Sequence, residues 1–298
     1  MCDKKTSLTF QLPDGRQLGY AQYGADNGDP FFYFHGLPGS RYESRLLEAS
    51  YKALNVCLYA VDRPGYGLSG FVENRSLTHW PNDIAMLADA LGIETFGIIG
   101  ISGGGPYALA CAHKIPERIS STGIVCGLGP VHESVLRREM HWVARSGFYL
   151  ARQSPALLRN LYGQPLNWLA NTHPALALRL LAYFNGGADK PILLRSDILE
   201  LLSASLQESF RQGPSAAIQD VVIYQNPWGF ELANIRKRIH LWHGNADSIV
   251  PCCHSEFVHS QLPDSVLDIV PNEGHFSLPV RHAEAILATL VGAESIRC

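Results

Sequence analysis

The sequence has little net charge of either sign. Its 298 residues include 24 lysines and arginines against 27 aspartates and glutamates, which gives a formal net charge of −3. A strongly basic or acidic balance is what draws a protein to nucleic acid or to an anionic membrane, and that balance is absent here. The composition therefore predicts no nucleic-acid partner.

Long hydrophobic runs are also missing. No stretch offers about 18 uninterrupted apolar residues, the length that spans a bilayer. The stretch Phe96–Ala112 comes closest, but glycines and a proline interrupt it. Near the start, Gln11, Pro13 and Asp14 prevent the apolar core of a signal peptide. We expect a cytoplasmic protein with no membrane span and no secretory leader.

Cysteines are irregularly placed. There are seven, an odd number without a repeating spacing, which favours reduced thiols over a disulfide framework. Cys252, Cys253, His254 and His259 do cluster, but their spacing matches no standard zinc pattern. No metal site is predicted.

Hydrophobic residues are plentiful: they make up 46% of the chain, which is enough for a sizeable core. The first two of its short apolar runs flank Pro13-Asp14-Gly15, a turn that predicts an antiparallel hairpin. The later runs alternate with helical patterns, which indicates parallel strands joined by crossover helices and an α/β fold. The eight predicted strands are Leu8–Leu12, Gln17–Tyr23, Phe31–Phe34, Val56–Val61, Phe96–Ile101, Ser121–Cys126, Ile239–Trp242 and Val266–Val270.

Two helices are indicated by apolar residues at helical spacing. The first runs from Trp80 to a stop at Gly92, and the second from Ala283 to a stop at Gly292. Both apolar stripes are most simply core-facing.

Between about Val131 and Gly213 the strand-like runs disappear and amphipathic helical patterns replace them. Breaks are expected at Gly163, Pro165, Pro174 and Gly186-Gly187, and one helix is predicted from Asp189 to Gly213. We therefore predict a core domain formed by residues 1–130 and 214–298, with an all-helical insertion at 131–213.

The first candidate for chemistry is Gly100-Ile-Ser102-Gly-Gly104, which fits the pattern G-x-S-x-G. A nucleophilic serine of this type stands on a sharp, strained turn between a strand and a helix. Residues two before and two after the serine crowd each other, so both must be very small. The flanking sequence predicts that strand and that helix, which makes Ser102 a candidate nucleophile.

Two other interpretations of this stretch remain open. Gly97, Gly100 and Gly103 are spaced as a variant dinucleotide loop, although such folds usually begin with their glycine turn. A Walker loop is excluded, because no Gly-Lys-Ser/Thr follows. The stretch is also compatible with a tight turn carrying an incidental serine.

A nucleophilic serine needs a base and an orienting acid, usually in the order serine, acid, histidine. Asp247 follows a predicted strand, at the sheet edge where such sites are built. His275 lies in the loop after the next strand, and we assign it the proton transfer. A structural role for either residue stays open, and Asp220, Asp264 and Asp268 are weaker candidates for the acid.

Acyl chemistry also requires an oxyanion site with two backbone donors. Gly103, directly after the serine, supplies the first. The strand ending near Phe34 is followed by a loop rich in glycine and proline, in which the N–H of Leu37 is the expected second donor. His35 in this loop is expected to be a structural hydrogen-bonding residue.

Five blocks in order resemble the α/β-hydrolase fold superfamily. They are His35-Gly-Leu-Pro-Gly39, Asp62-Arg-Pro-Gly-Tyr-Gly-Leu-Ser69, Gly100-Ile-Ser-Gly-Gly104, His243-Gly-Asn-Ala-Asp247 and Glu273-Gly-His275. The resemblance implies a mostly parallel, doubly wound eight-stranded sheet with a helical cap after the sixth strand. It also implies Ser102, Asp247 and His275 as a catalytic triad, Leu37 and Gly103 as oxyanion donors, and no cofactor.

Within that superfamily the loop after the third strand looks like those of esterases, lactonases and proline iminopeptidase-like members. We expect a serine hydrolase acting through an acyl-enzyme on a small, fairly apolar ester or lactone. An iminopeptidase-like or carbon–carbon bond hydrolase is an alternative, although Gly103 stands where iminopeptidases usually carry tryptophan. A receptor that binds a small molecule without turnover is an alternative of another class.

Overall fold

The computed structural model describes residues 5–295, and its centre is the predicted eight-stranded sheet, in the order β1-β2-β4-β3-β5-β6-β7-β8. The first pairings, β1 with β2 and β2 with β4, are antiparallel, and all later ones are parallel. The strands are β1 Leu8–Gln11, β2 Gln17–Gly24, β3 Asp29–Phe34, β4 Val56–Val61, β5 Phe96–Ile101, β6 Ile119–Val125, β7 Ile239–Gly244 and β8 Ser265–Val270.

Helices cover both faces of this sheet. Those outside the interval between β6 and β7 are α1 Glu48–Ala53, α2 Trp80–Ala90, α3 Gly105–Lys114, α12 Cys253–Gln261, α13 Ser277–Arg281 and α14 Ala283–Ser295. Those within it are α4 Ser134–Glu139, α5 Trp142–Gln153, α6 Pro155–Leu158, α7 Gln164–Thr172, α8 Pro174–Asn185, α9 Asp189–Leu193, α10 Ser196–Ser209 and α11 Ser215–Gln225. We call residues 134–225 the helical segment.

The alternation of side chains along the central strands produces two cores. In β3, Phe32 and Phe34 point to the face covered by α2 and α3, where Trp80 packs. Phe31 and Tyr33 point to the opposite face and meet the residues of α1 and α14. Because both faces are covered, the central strands are continuous hydrophobic runs, as parallel sheets require.

Three details of the helices differ from the sequence prediction. The helix predicted from Asp189 to Gly213 is two helices, α9 and α10, because Arg195 has an extended backbone with ψ of 134°. Gly163 and Pro165 do not interrupt the helical conformation. A π-helical turn at Arg159–Gly163 leads directly into α7, whose first turn tolerates a proline. Helix α14 continues past Gly292, since an exposed glycine costs only about 1 kcal/mol in a helix.

No helix among residues 5–295 is long and apolar enough to cross a bilayer. The five cysteines in this range are free: Cys57, Cys111, Cys126, Cys252 and Cys253. Residues 1–4 and 296–298, which include Cys2 and Cys298, lie outside the described residues.

Candidate active site

Ser102 stands on the sharp turn that its neighbouring glycines predict. Strand β5 ends at Ile101, a single 3-10 turn spans Ser102–Gly104, and α3 begins immediately afterwards. Ser102 has a φ of +54°, in the left-handed region that costs a non-glycine residue free energy. A Cβ on Gly100 would lie 2.7 Å from the Gly104 oxygen, and one on Gly104 would lie 2.1 Å from the Phe34 oxygen. The close approach of β5, α3 and β3 therefore requires both glycines.

The loops after β7 and β8 bring Asp247 and His275 together. The Nδ1 of His275 is 2.7 Å from Asp247 Oδ2, and both side chains are almost fully buried. The other carboxylate oxygen of Asp247 accepts hydrogen bonds from the backbone N–H groups of Ile249 and Val250, each at 2.9 Å. The ring of His243 adds a contact at 3.3 Å to Asp247 Oδ2. These bonds fix the carboxylate and, through it, the orientation of the imidazole.

The electrostatics of this pair suit a general base. Burial opposes a charge on His275, but the Asp247 carboxylate outweighs it, and the pKa of His275 is raised above its ordinary value. Burial likewise opposes a charge on Asp247, but His275 and the hydrogen bond from His243 hold the pKa of Asp247 well below its ordinary value. Asp247 is thus an anion beside an imidazole that accepts a proton readily.

Leu37 and Gly103, the two predicted oxyanion donors, lie side by side. A Cβ on Gly103 would be 3.4 Å from the backbone nitrogen of Leu37. The buried Glu43 holds the loop that carries Leu37 in place. Its carboxylate accepts hydrogen bonds from Gly36 N at 2.8 Å and from the Tyr33 hydroxyl at 2.9 Å. Glu43 is not predictable from the sequence, because no motif marks a carboxylate that bonds to its own loop.

His35 has the structural role expected of it. It is fully buried, its Nδ1 lies 2.9 Å from the Gly36 oxygen, and its Nε2 accepts from the backbone of Arg63 at 3.2 Å. Burial and the neighbouring Arg63 charge hold the pKa of His35 well below its ordinary value. A neutral, fully bonded ring of this kind supports the loop and is not a second base.

Asp220, one of the weaker candidates for the acid, lies in a separate buried network. Its carboxylate pairs with Arg63 at 2.9 Å and with Arg75 at 2.5 Å, and it accepts from the hydroxyls of Tyr66 and Tyr107. Burial opposes its charge, yet the two arginines lower the pKa of Asp220 well below its ordinary value. Arg63 also donates to the Gly36 oxygen at 2.9 Å, so this network reaches the loop that carries Leu37.

Two further residues of the helical segment reach the site and were missed. The hydroxyl of Tyr224, fully buried on α11, donates to the Gly103 oxygen at 2.7 Å. The Asp189 carboxylate on α9, only 3% exposed, accepts from the backbone N–H groups of His275, Phe276 and Ser277, each at 2.9 Å. The sequence predicts Asp189 only as the start of a helix. Its partner His275 lies 86 residues away, and so distant a contact produces no local sequence pattern.

Ser102 lies in the wall of an apolar cavity of about 330 Å³ between the sheet edge and the helical segment. Leu37 and Gly103, which are predicted to be the oxyanion donors, share that wall. The remaining lining residues are Pro38, Leu128, Met140, Val143, Ala144, Gly147, Phe148, Leu158, Tyr162, Gly163, Leu166, Phe210, Ala217, Ile218, Val221, Ile249 and Val250. None of these side chains carries a charge, so the cavity suits an apolar ligand group.

The cysteine and histidine cluster at 252–259 is not gathered into one ligand set. His254 Nδ1 accepts from Gly129 N at 3.1 Å, while His259 Nδ1 lies 2.8 Å from the Ser265 hydroxyl. Among residues 5–295, potential ligand atoms converge instead at Cys126, His243 and Asp247. There the two ring nitrogens of His243 already contact Ser255 Oγ at 2.6 Å and the Val250 oxygen at 2.7 Å, an arrangement that supports Asp247.

The chain resembles known proteins in sequence and in fold. Residues 29–281 match the family described as alpha/beta hydrolase fold. Over 244 residues the chain is 25% identical to the putative carbamate hydrolase RutD of Caulobacter sp. (strain K31), covering 80% of this chain and 81% of that protein. It is 34% identical to the uncharacterized hydrolase YcgS of Bacillus subtilis (strain 168) over 118 residues, which are 39% of this chain and only 38% of that relative.

Among solved structures, the esterase EaEST from Exiguobacterium antarcticum superposes with a TM-score of 0.67. The match covers 97% of this chain and all of the esterase chain, at 18% sequence identity. Such a likeness shows that the two chains share the fold.

Proposed function

Because the chain belongs to the alpha/beta hydrolase fold family, we propose that it is a serine hydrolase that cleaves a small, fairly apolar ester or lactone. One observation carries the proposal: Ser102, on a strained turn, borders an uncharged cavity, while a buried His275–Asp247 pair occupies the loops after β7 and β8. A fold alone does not determine an activity, so these groups are the ones that support a hydrolase.

In the proposed reaction the Ser102 hydroxyl attacks the substrate carbonyl carbon and transfers its proton to His275. The oxyanion that forms is held by the N–H groups of Leu37 and Gly103, each contributing about 3 kcal/mol of transition-state stabilisation. His275 then protonates the leaving alcohol oxygen as its bond to carbon breaks. Water, deprotonated by His275, attacks the acyl-enzyme, and the carboxylic acid leaves as Ser102 regains its proton.

We also propose that the predicted insertion, residues 131–213, acts as a cap over this site. This insertion supplies Met140, Val143, Phe148, Leu158 and Leu166 to the cavity wall. The helical run extends past residue 213 into α11, which adds three further apolar side chains to the same wall. An apolar acyl or alcohol group of the substrate would occupy this space.

The test measures hydrolysis of p-nitrophenyl acetate and butyrate by wild type and Ser102→Ala, with Ser260→Ala as control because Ser260 is an exposed serine on α12. We expect wild type and the control to hydrolyse both esters and to be labelled by a fluorophosphonate, and Ser102→Ala to do neither. Equal background rates without labelling of Ser102 would overturn the proposal and favour a receptor. A panel of esters, lactones, carbamates, proline amides and β-diketones then identifies the bond cleaved.

A further inference from the structure

Charge is distributed unevenly along this nearly neutral chain. Residues 140–188 contain no aspartate or glutamate, but they contain four arginines: Arg145, Arg152, Arg159 and Arg179. This stretch runs from the end of α4 through α5, α6, α7 and α8. A formal charge of −3 for the whole chain therefore conceals a purely cationic part of the helical segment.

All four arginines are exposed, and none has an ion-pair partner among residues 5–292, the range over which the structure describes side chains. Other surface arginines do pair: Arg45 with Glu48, Arg195 with Asp197 and Arg238 with Asp264, each at 2.7–2.9 Å. The four positive charges in 140–188 are thus not neutralised by their own chain and remain available to an anionic surface.

The same stretch carries most of the exposed apolar side chains. Of the fifteen large hydrophobic residues that are exposed among residues 5–295, ten lie in it. They include aromatic residues with much of their surface in solvent, among them Trp142 at 68%, Trp168 at 61% and Phe184 at 85%. The ten are Trp142, Val143, Tyr149, Leu157, Leu161, Trp168, Leu176, Leu180, Tyr183 and Phe184.

Helical spacing gathers these side chains into outward stripes. On α8, Leu176, Leu180 and Tyr183 are exposed at positions i, i+4 and i+7, which share one face of a helix. On α5 the exposed Trp142 and Tyr149 are seven residues apart, and Arg145 lies three residues after the tryptophan on the same face. An apolar stripe bordered by arginine is the pattern of a helix that lies in a membrane interface.

We propose that the outer surface of residues 140–188 docks on an anionic phospholipid membrane. Tryptophan and tyrosine combine an apolar ring with a polar atom and favour the headgroup level, while unpaired arginines are attracted to negatively charged lipids. A second copy of the chain fits this surface less well. A two-fold contact would place the same unpaired arginines against each other, and no carboxylate within the stretch offsets them.

The docking surface adjoins the cavity that contains Ser102. Helix α5 contributes Val143, which is 40% exposed and also lines the cavity. A molecule docked through these helices would hold the cavity next to the acyl region of the bilayer, from which an apolar ligand could enter. The docking itself goes beyond the hydrolase proposal and does not depend on turnover.

The test is flotation of Ser102→Ala protein, which cannot degrade lipid, with phosphatidylcholine vesicles that either lack or contain phosphatidylglycerol. We expect binding only to the anionic vesicles, weakened by salt because charge attraction is screened. Arg145→Gln/Arg152→Gln and Tyr183→Ser/Phe184→Ser should each reduce the partition coefficient about tenfold or more. Arg236→Gln and Val266→Ser, which alter exposed residues outside the stretch, should leave it unchanged.

Circular dichroism tests whether each variant is folded, which is expected because every side chain altered in addition to Ser102 is exposed. The absence of binding to anionic vesicles would overturn the docking proposal, as would binding unaffected by the stretch variants. A concentration-dependent dimer that only the stretch variants dissociate would instead assign the surface to a second copy. Since hydrolysis is not the readout, an inactive wild type would contradict the proposed function and leave this result intact.

Discussion

The protonation of His275 depends on the carboxylates around it. In the proposed reaction the neutral imidazole accepts the Ser102 proton, so we expect kcat/KM to fall as His275 becomes charged in acid. Asp247 raises the pKa of His275 despite burial, so we expect the acid limb to have its midpoint above about 6.5, the ordinary histidine value. A pH–rate profile of an ester substrate measures it, and a profile flat between pH 5 and 8 would exclude His275 as the base.

Asp189 is expected to act on the same histidine as a positioning residue. Asp189→Asn removes a negative charge that raises the pKa of His275 and weakens three backbone hydrogen bonds. We predict that kcat falls by about tenfold to a hundredfold with little change in KM, and that the acid limb moves to lower pH. Asp197→Asn, at an exposed ion pair of α10, is the control. An unshifted limb would mean that Asp189 has only a structural role.

Helix α11 joins the helical segment to the core through one buried charge cluster. Asp220→Asn would leave Arg63 and Arg75 buried without a counter-charge, at a cost of about 3–5 kcal/mol. We expect Tm to fall by about 10 °C in a thermal unfolding scan. Asp264→Asn, which breaks the exposed pair with Arg238, should cost less than about 1 kcal/mol. Similar Tm values for the two variants would contradict the assigned role of the cluster.

Elements differ in how readily the sequence predicts them. All eight strands were predictable, because each is a short apolar run bounded by turn residues and the core covers both faces. The sequence predicts that the segment between β6 and β7 is helical, but it does not predict where each helix ends. The extended backbone of Arg195 and the π-helical turn at Arg159–Gly163 depend on tertiary surroundings that local sequence does not specify. Local propensity fixes the type of an element more firmly than its boundaries.

At the scale of the whole molecule, the cavity is formed where the sheet edge meets the helical segment. Ala217 lines it from α11, and Ala217→Trp would fill part of its roughly 330 Å³. We predict that kcat/KM for a hexanoate ester falls by about tenfold or more, while that for acetate changes little. Ala285→Trp, at an exposed position of α14, is the matched control. Equal losses for both esters would place the acyl group elsewhere.

The candidate site was predictable where its residues follow strands. The loops at the carboxyl ends of parallel strands meet at one edge of a sheet, and this rule predicts a site formed by Ser102, Asp247 and His275. In the structure, His275 and Asp247 form a hydrogen bond at that edge. The sequence does not predict the contribution of Glu43, Asp189 or Tyr224, although each forms a hydrogen bond with a loop of the site. Their partners are distant in sequence, and no spacing rule connects them.

The sheet, the strained serine turn and the order of Ser102, Asp247 and His275 along the chain can be predicted from local apolar runs and glycines. The folded chain is needed to show that the helical segment reaches into the site, where Asp189 bonds to the loop of His275 and Tyr224 bonds to Gly103. The folded chain is also needed to show which apolar side chains line the cavity and which face solvent. Burial and long-range hydrogen bonds are properties of the folded chain, and periodicity cannot encode which distant partner a side chain meets.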